Sequence, residues 1–270
     1  MCDIQKIKDN STISDMDFTD CDMKGLVIQN KTFTKCKFNE VNLTNAKLKN
    51  IKFTEVKFEG IEFMYANLEN VYFKNCVFSD IDFTGANMKV NLKNAVLMGA
   101  VFREAILAKS YFQDADLRGT DFMCAKFDVV VFNRAFLIDA KLNEVISTDS
   151  SFYNANFNNA NLSDSNFIQN SMTEGKFIGT NLRNSIFQGV FLDKGILKNA
   201  DLTNADLFEA ELSGSTFLSA NVTGVILSES TISRCEFGSS EFDRCGFSRC
   251  EYERCEFNEC GFGRCGFGRC

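Results

Sequence analysis

Large apolar residues recur every five positions along almost the whole chain, a spacing that fits neither an α-helix nor an ordinary alternating strand. From Ile13 the series Phe18, Met23, Ile28, Phe33, Phe38, Leu43, Leu48, Phe53 continues unbroken to Met88. The step then shortens once to four, and a second series runs from Leu92 through Leu97, Phe102 and Leu107 to Phe267. Of the 29 Phe, only Phe136, Phe191 and Phe208 stand off these centres. A helix would turn about 500° per five residues and scatter the centres around its surface, so helix is rejected.

Two positions before each centre stands a small or β-branched residue, as at Ala46, Ala66, Ala115, Ala155 and Ala200, and the position between is often Asn or Asp. The unit reads as in, out, in, out, turn: a very short strand followed by a corner. Pro is absent from all 270 residues. That absence fits a stack in which nearly every backbone N–H donates to a neighbouring coil.

Ala115-Asp116-Leu117, Ala155-Asn156-Phe157, Ala160-Asn161-Leu162, Ala200-Asp201-Leu202 and Ala205-Asp206-Leu207 resemble the A(D/N)LXX signature of the pentapeptide-repeat family. The resemblance covers residues 13–270. It implies an all-β fold, a right-handed quadrilateral parallel β-helix with four pentapeptides per coil. Period alone does not distinguish four sides from three. With four sides the chain makes about 13 coils and a rod of about 62 Å at the ~4.8 Å strand spacing. Residues 1–12 are expected to form an N-terminal cap segment and 13–270 a single solenoid with a register break at 88–92. Ser147 is the one centre that is not large and apolar, and a bulge turning Ile146 inward is the expected remedy.

With 0 His the chain has no imidazole base and no imidazole metal ligand. Its 12 Cys do not show paired metal-ligand spacing. Cys21, Cys36, Cys76 and the run Cys235, Cys245, Cys250, Cys255, Cys260, Cys265, Cys270 occupy the small inward slot and read as buried apolar side chains. Residues twenty apart stack, so Cys235 lies over Cys255, Cys245 over Cys265 and Cys250 over Cys270, within disulfide range. Cys124, at a corner, and Cys2, before the first coil, are the expected exposed thiols. Gly261-Phe262-Gly263 and Gly266-Phe267-Gly268 do not lead from a strand into a helix and are not phosphate loops. No enzyme activity, cofactor or metal is expected.

A net charge of −7 argues against direct nucleic-acid binding, and no apolar run is long enough to span a bilayer, so a cytoplasmic protein is expected. Sorted onto four faces, the acidity falls on two adjacent ones, those centred on Phe38 and Leu43. The first of these also carries outward apolar residues: Val77, Val96, Met98, Phe136, Ile138, Ile178 and Ile196, with Phe191 nearby. Val96, Met98, Phe136, Ile138, Ile178, Phe191 and Ile196 form the candidate partner-binding surface. Cys250, Tyr252, Phe257, Phe262 and Phe267 form the candidate end for end-to-end homodimerisation. The leading functional reading is a rigid acidic scaffold for a protein partner of unknown identity. The resemblance adds a second, a DNA-mimicking regulator of a type II topoisomerase such as DNA gyrase, and a third, a secreted effector. The second is weakened by charge density, since B-DNA carries one charge per ~1.7 Å. The inserted loops and apolar C-terminal helix of the topoisomerase-protecting members are also missing here.

Overall fold

The unit Ala155-Asn156-Phe157-Asn158-Asn159 shows how five residues become one side of a coil. Ala155 and Phe157 point inward with no exposed surface, and the side chains between and after them face outward. All five N–H groups are used. Ala155 N–H closes a turn onto Phe152 O (3.0 Å), Asn156 N–H donates to Ala135 O in the coil before (3.0 Å), and Phe157 and Asn159 donate to Lys176 O and Ile178 O in the coil after (2.7 and 2.9 Å). The remaining N–H, of Asn158, is taken by the Asn156 side chain at 3.1 Å. Asp17, Asp22, Asn42, Asn161 and Asp201 do the same for the residue two ahead of each. Asn and Asp recur before the centre because they satisfy the one donor the ladder leaves over. Pro is disfavoured for the matching reason, that the ladder and the turn take the N–H of every position in the unit but the one after the centre.

The last residue of each unit makes the corner in the left-handed region, as at Asn94 (φ 58°), Asn159 (φ 57°) and Gly119 (φ 66°). Asn, Asp and Gly adopt it at low cost, whereas a β-branched residue there is strained. Val129 (φ 55°) is such a residue, 43% exposed, with its N–H already engaged on Thr148 O. Val129→Asn is expected to stabilise the protein by about 1 kcal/mol, read as a higher midpoint in denaturant titration. A lower midpoint would contradict the corner assignment.

The computed structural model describes residues 4–243, 245–246, 251–253, 255–258 and 260–265. Each side pairs in parallel with the residue twenty ahead: Thr12 with Thr32, Thr32 with Lys52 and Lys52 with Tyr72, and in the later coils Ser151 with Ser171 and Thr231 with Glu251. The centres Ile28, Phe33 and Phe38 each pair with their own counterparts Leu48, Phe53 and Phe58. The coil is therefore four-sided, and the chain is an all-β parallel solenoid. At the four-residue step the pairing shifts between Lys89 and Val90, and Tyr72 pairs with Asn91, nineteen residues on. The expected count of about 13 strand-bearing coils needs correction, since the stacked strands make about 7 turns. Three-residue or longer strands dominate before Asn91, whereas later sides mostly narrow to single-residue bridges because the two residues after each centre form a tight turn.

A short helix, α1 (Ile4–Asp9), lies over the first coil and buries Ile7. Lys31 sits in a small inward slot of the repeat yet is only half-buried. Its Nζ reaches out to Lys8 O (2.9 Å) and Asn10 O (2.6 Å), capping the carbonyl end of α1.

Inside, Phe rings stack coil over coil at the strand spacing. Phe33, Phe53 and Phe73 are separated by 5.1 and 5.2 Å, and Phe83, Phe102 and Phe122 by 4.9 and 4.7 Å. The bulge expected at Ser147 does not form. Ser147 is fully buried in register with Phe127, and Ile146 stays 48% exposed. The polar centre is instead matched by a second buried polar side chain in the next coil, Asn170, whose Oδ1 accepts the Ser147 hydroxyl at 2.8 Å. Cys21 is buried as expected, but it is a half-cystine rather than a free thiol.

Candidate interaction surface

Outward side chains of one face stand in columns along the rod, so their neighbours are the residues twenty before and after. On the face expected to carry the apolar stripe, one column runs Val96, Asp116, Phe136, Asn156, Lys176, Ile196. Val96 (51%), Met98 (53%) and Phe136 (49%) are exposed, while Ile138, Ile178 and Ile196 are half-buried. Asp116 and Arg118 interrupt the group. Arg118 grips Asp116 through Nε (2.8 Å) and Nη2 (2.6 Å), and Nη2 lies 3.4 Å from Met98 Sδ. Two smaller apolar patches replace the stripe, Val96 with Met98 and Phe136 with Ile138. Phe191 (49%) belongs to the adjoining face, between Ser171 and Glu211.

The repeat hid a second set of exposed apolar residues. Ile106, Ile146, Ile186 and Ile226 share one column on the face of Leu48 and alternate with Lys126, Asn166 and Asp206. Their forty-residue spacing is a signal that a search at period five passes over. Alternation keeps them from merging into one patch.

Several carboxylates on the two acidic faces are already committed. Asp121, 6% exposed, contacts Arg103 Nη2 at 2.8 Å and Lys141 Nζ at 3.6 Å, and accepts the Met123 N–H at 3.1 Å. Burial raises the Asp121 pKa, but these hydrogen bonds and charges outweigh it and hold the carboxyl below its ordinary value. Asp116 is likewise lowered, first by its hydrogen bond to Arg118. Both are fixed anions rather than proton acceptors at neutral pH. Glu40, Glu104, Asp139 and Asp164 on the same two faces form no ion pair among the described residues, and point their charge to solvent.

Burial pushes the Cys76 thiol up to about 11 and Cys235 and Cys245 up to about 12, so all three are neutral and weakly nucleophilic at pH 7. Cys255 and Cys265 are half-buried in the coil after Cys235 and Cys245, and their thiols donate to Ile232 O (2.9 Å) and Phe242 O (3.5 Å). Cys124 is half-buried, not open, and its Sγ donates to Glu144 Oε2 at 3.6 Å. Among the described residues no group of three His, Cys, Asp or Glu could hold a metal ion, and no helix is long and apolar enough to cross a membrane.

Of the proposed dimer end, Cys250 and Phe267 lie outside the described residues. Tyr252 and Phe262 continue the ladder onto Ile232 and Phe242, and the half-buried Phe257 ring stacks on Phe237 at 4.9 Å.

The sequence matches two family descriptions: "Pentapeptide repeat region" over residues 9–83, and "Pentapeptide repeats (8 copies)" over residues 88–123, 110–146, 150–189 and 196–234. Together they span well over half of the chain. No curated protein matches it. Among solved structures it is similar to HetL, a pentapeptide repeat protein involved in heterocyst differentiation regulation from the cyanobacterium Nostoc sp. strain PCC 7120. That match has 18% identity, covers 86% of this chain and 87% of that one, and has a TM-score of 0.29. It is also similar to QnrB1, a plasmid-mediated fluoroquinolone resistance protein, with 18% identity, 75% and 91% coverage and a TM-score of 0.43. A pentapeptide repeat protein of the Arabidopsis thaliana thylakoid lumen matches at 21% identity over 43% of this chain and 66% of that one, with a TM-score of 0.18.

Proposed function

The chain belongs to the pentapeptide-repeat family, and on that premise we propose that it is a non-catalytic scaffold whose two adjacent acidic faces dock a protein partner. The observation that carries this reading is the placement of solvent-facing, unpaired carboxylates on two neighbouring sides of a backbone that ladder bonds hold rigid. A rigid array loses little conformational freedom on binding, and like charges along one side steer a basic partner surface toward it.

Reversing Glu40, Glu104, Asp139 and Asp164 to Lys is expected to cut capture of the partner about tenfold or more. Asp15, Glu55, Asp149 and Glu209 occupy the same corner position on the other two faces, and reversing those four should leave capture nearly unchanged. Quantitative crosslinking pull-downs compare the two sets. Equal loss from both would reduce the effect to net charge and sink the reading. Mimicry of DNA toward a type II topoisomerase is the less favoured alternative, because Arg103, Arg118 and Lys141 neutralise acids within these faces. A gyrase supercoiling assay that responds to the protein would reverse that ranking.

A further inference from the structure

The missing corner residue between Lys89 and Val90 leaves a mark one side further along the coil. Asn30, Asn50 and Asn70 form a corner ladder, amide to amide at 2.9 and 3.1 Å, and it stops where the next corner residue is lacking. The coils meet again on the following side, where Tyr72 pairs with Asn91, and on the side of Phe83, whose N–H donates to Val101 O at 2.7 Å. Between these two points the sheet is open. The side of Phe78 has no bridge to the side of Leu97, and neither Phe78 N–H nor Asp80 N–H donates to the coil above.

The opening is a cavity of about 470 Å³. Phe73 (5%), Phe78 (8%) and Ala95 (7%) form its floor and are the most exposed members of the buried core. Lys52, Lys74 and Lys93 stand around it, and none of the three forms an ion pair among the described residues. Lys93 also acts on Asp114, helping to hold its carboxyl below its ordinary value after the hydrogen bond from Arg134. Asp114, in the coil above, Glu55, in the coil below, and Asp80, two residues past Phe78, are the neighbouring acids.

We propose that this notch is a binding site for an amphiphilic organic anion, with a flat apolar body against Phe73, Phe78 and Ala95 and a carboxylate, sulfonate or phosphate head among Lys52, Lys74 and Lys93. Size agrees, as small-molecule sites run from roughly 300 to 1,000 Å³ with an apolar lining and a few convergent polar groups. Charge agrees too: three lysines line one opening of a protein whose net charge is −7. The open ladder adds backbone donors that suit an anion.

The test uses 8-anilinonaphthalene-1-sulfonate as probe, followed by fluorescence, with N-phenyl-1-naphthylamine as its uncharged counterpart. The site should bind the sulfonate with one-to-one stoichiometry and the uncharged compound far more weakly. Lys74→Glu with Lys93→Glu should weaken the sulfonate about tenfold or more, while Lys109→Glu with Lys126→Glu, on another face, leaves it unchanged. Cys76 lines the notch, half-buried, with Sγ 3.6 Å from Phe53 O. Saturating probe should therefore slow its alkylation by N-ethylmaleimide, read by mass spectrometry of the Cys76 peptide. A variant with one Asn inserted between Lys89 and Val90 restores the five-residue step, closes the ladder and should lose the site while keeping its β circular dichroism. Unchanged affinity in the Lys74→Glu/Lys93→Glu variant, or probe binding that leaves Cys76 alkylation unaffected, overturns the proposal.

Discussion

Replacing Phe132 by Ala is expected to cost about 3–5 kcal/mol and to split unfolding into two steps. Phe132 has no exposed surface and is stacked between Phe112 at 4.9 Å and Phe152 at 5.0 Å, with Phe122 and Phe127 at 6.0 and 5.1 Å. The cavity left behind cannot collapse along the rod. Coil spacing is fixed by ladder bonds on the same side, Val131 N–H to Ser110 O at 3.0 Å and Phe132 N–H to Ser151 O at 2.7 Å. Four ring contacts vanish along with the transfer free energy of the side chain. Because each coil touches only its neighbours, the loss is concentrated at one junction and uncouples the segments before and after it. Denaturant titration followed by circular dichroism should then show two transitions where the parent shows one. Phe136→Ala makes the matched comparison, since its ring is off-centre and 49% exposed; it should change stability by less than about 0.5 kcal/mol. Similar losses from the two substitutions would contradict the assignment of centres.

That contrast rests on what the period makes legible. Position within five residues separates Phe132 from Phe136 before any coordinate is known, because a solenoid repeats one local environment and the sequence repeats with it. Features that live between coils are harder to see. Lys31 occupies an inward slot by count, yet its long side chain escapes to the carbonyl end of α1, a contact between segments with no shared period. The Val96 to Ile196 stripe follows correctly from face counting but ignores what stands between its members. Asp116 and Arg118 lie in those same columns and break it. The shortened step at Met88 is visible as a number, whereas the opening it causes appears beside Phe78, because the backbone absorbs the missing residue over one further side before pairing resumes at Asp82 and Val101.

Ser147 gives the sharpest case, and its partner carries the second large effect. Asn170→Ala is expected to cost about 3–5 kcal/mol although it removes only a small polar group. Asn170 is fully buried, and its side chain serves three groups in the coil before: Oδ1 accepts the Ser147 hydroxyl (2.8 Å) and Ser150 N–H (3.0 Å), and Nδ2 donates to Ser147 O (2.9 Å). Truncation strands those groups where water cannot reach them. Ser147→Leu alone should also destabilise, since the new side chain meets the Asn170 amide. A Ser at 170 would preserve one bond, because Val130 N–H already donates to Ser150 Oγ at 3.0 Å in the equivalent place one coil earlier. The double variant Ser147→Leu/Asn170→Ser therefore restores an apolar centre and keeps an acceptor for Ser150 N–H. It should be more stable than the sum of the two single changes by about 1–3 kcal/mol, measured as a double-mutant cycle in denaturant. Strict additivity would mean that the two residues do not act as a pair, and that the polar centre is tolerated for some reason other than their hydrogen bonds.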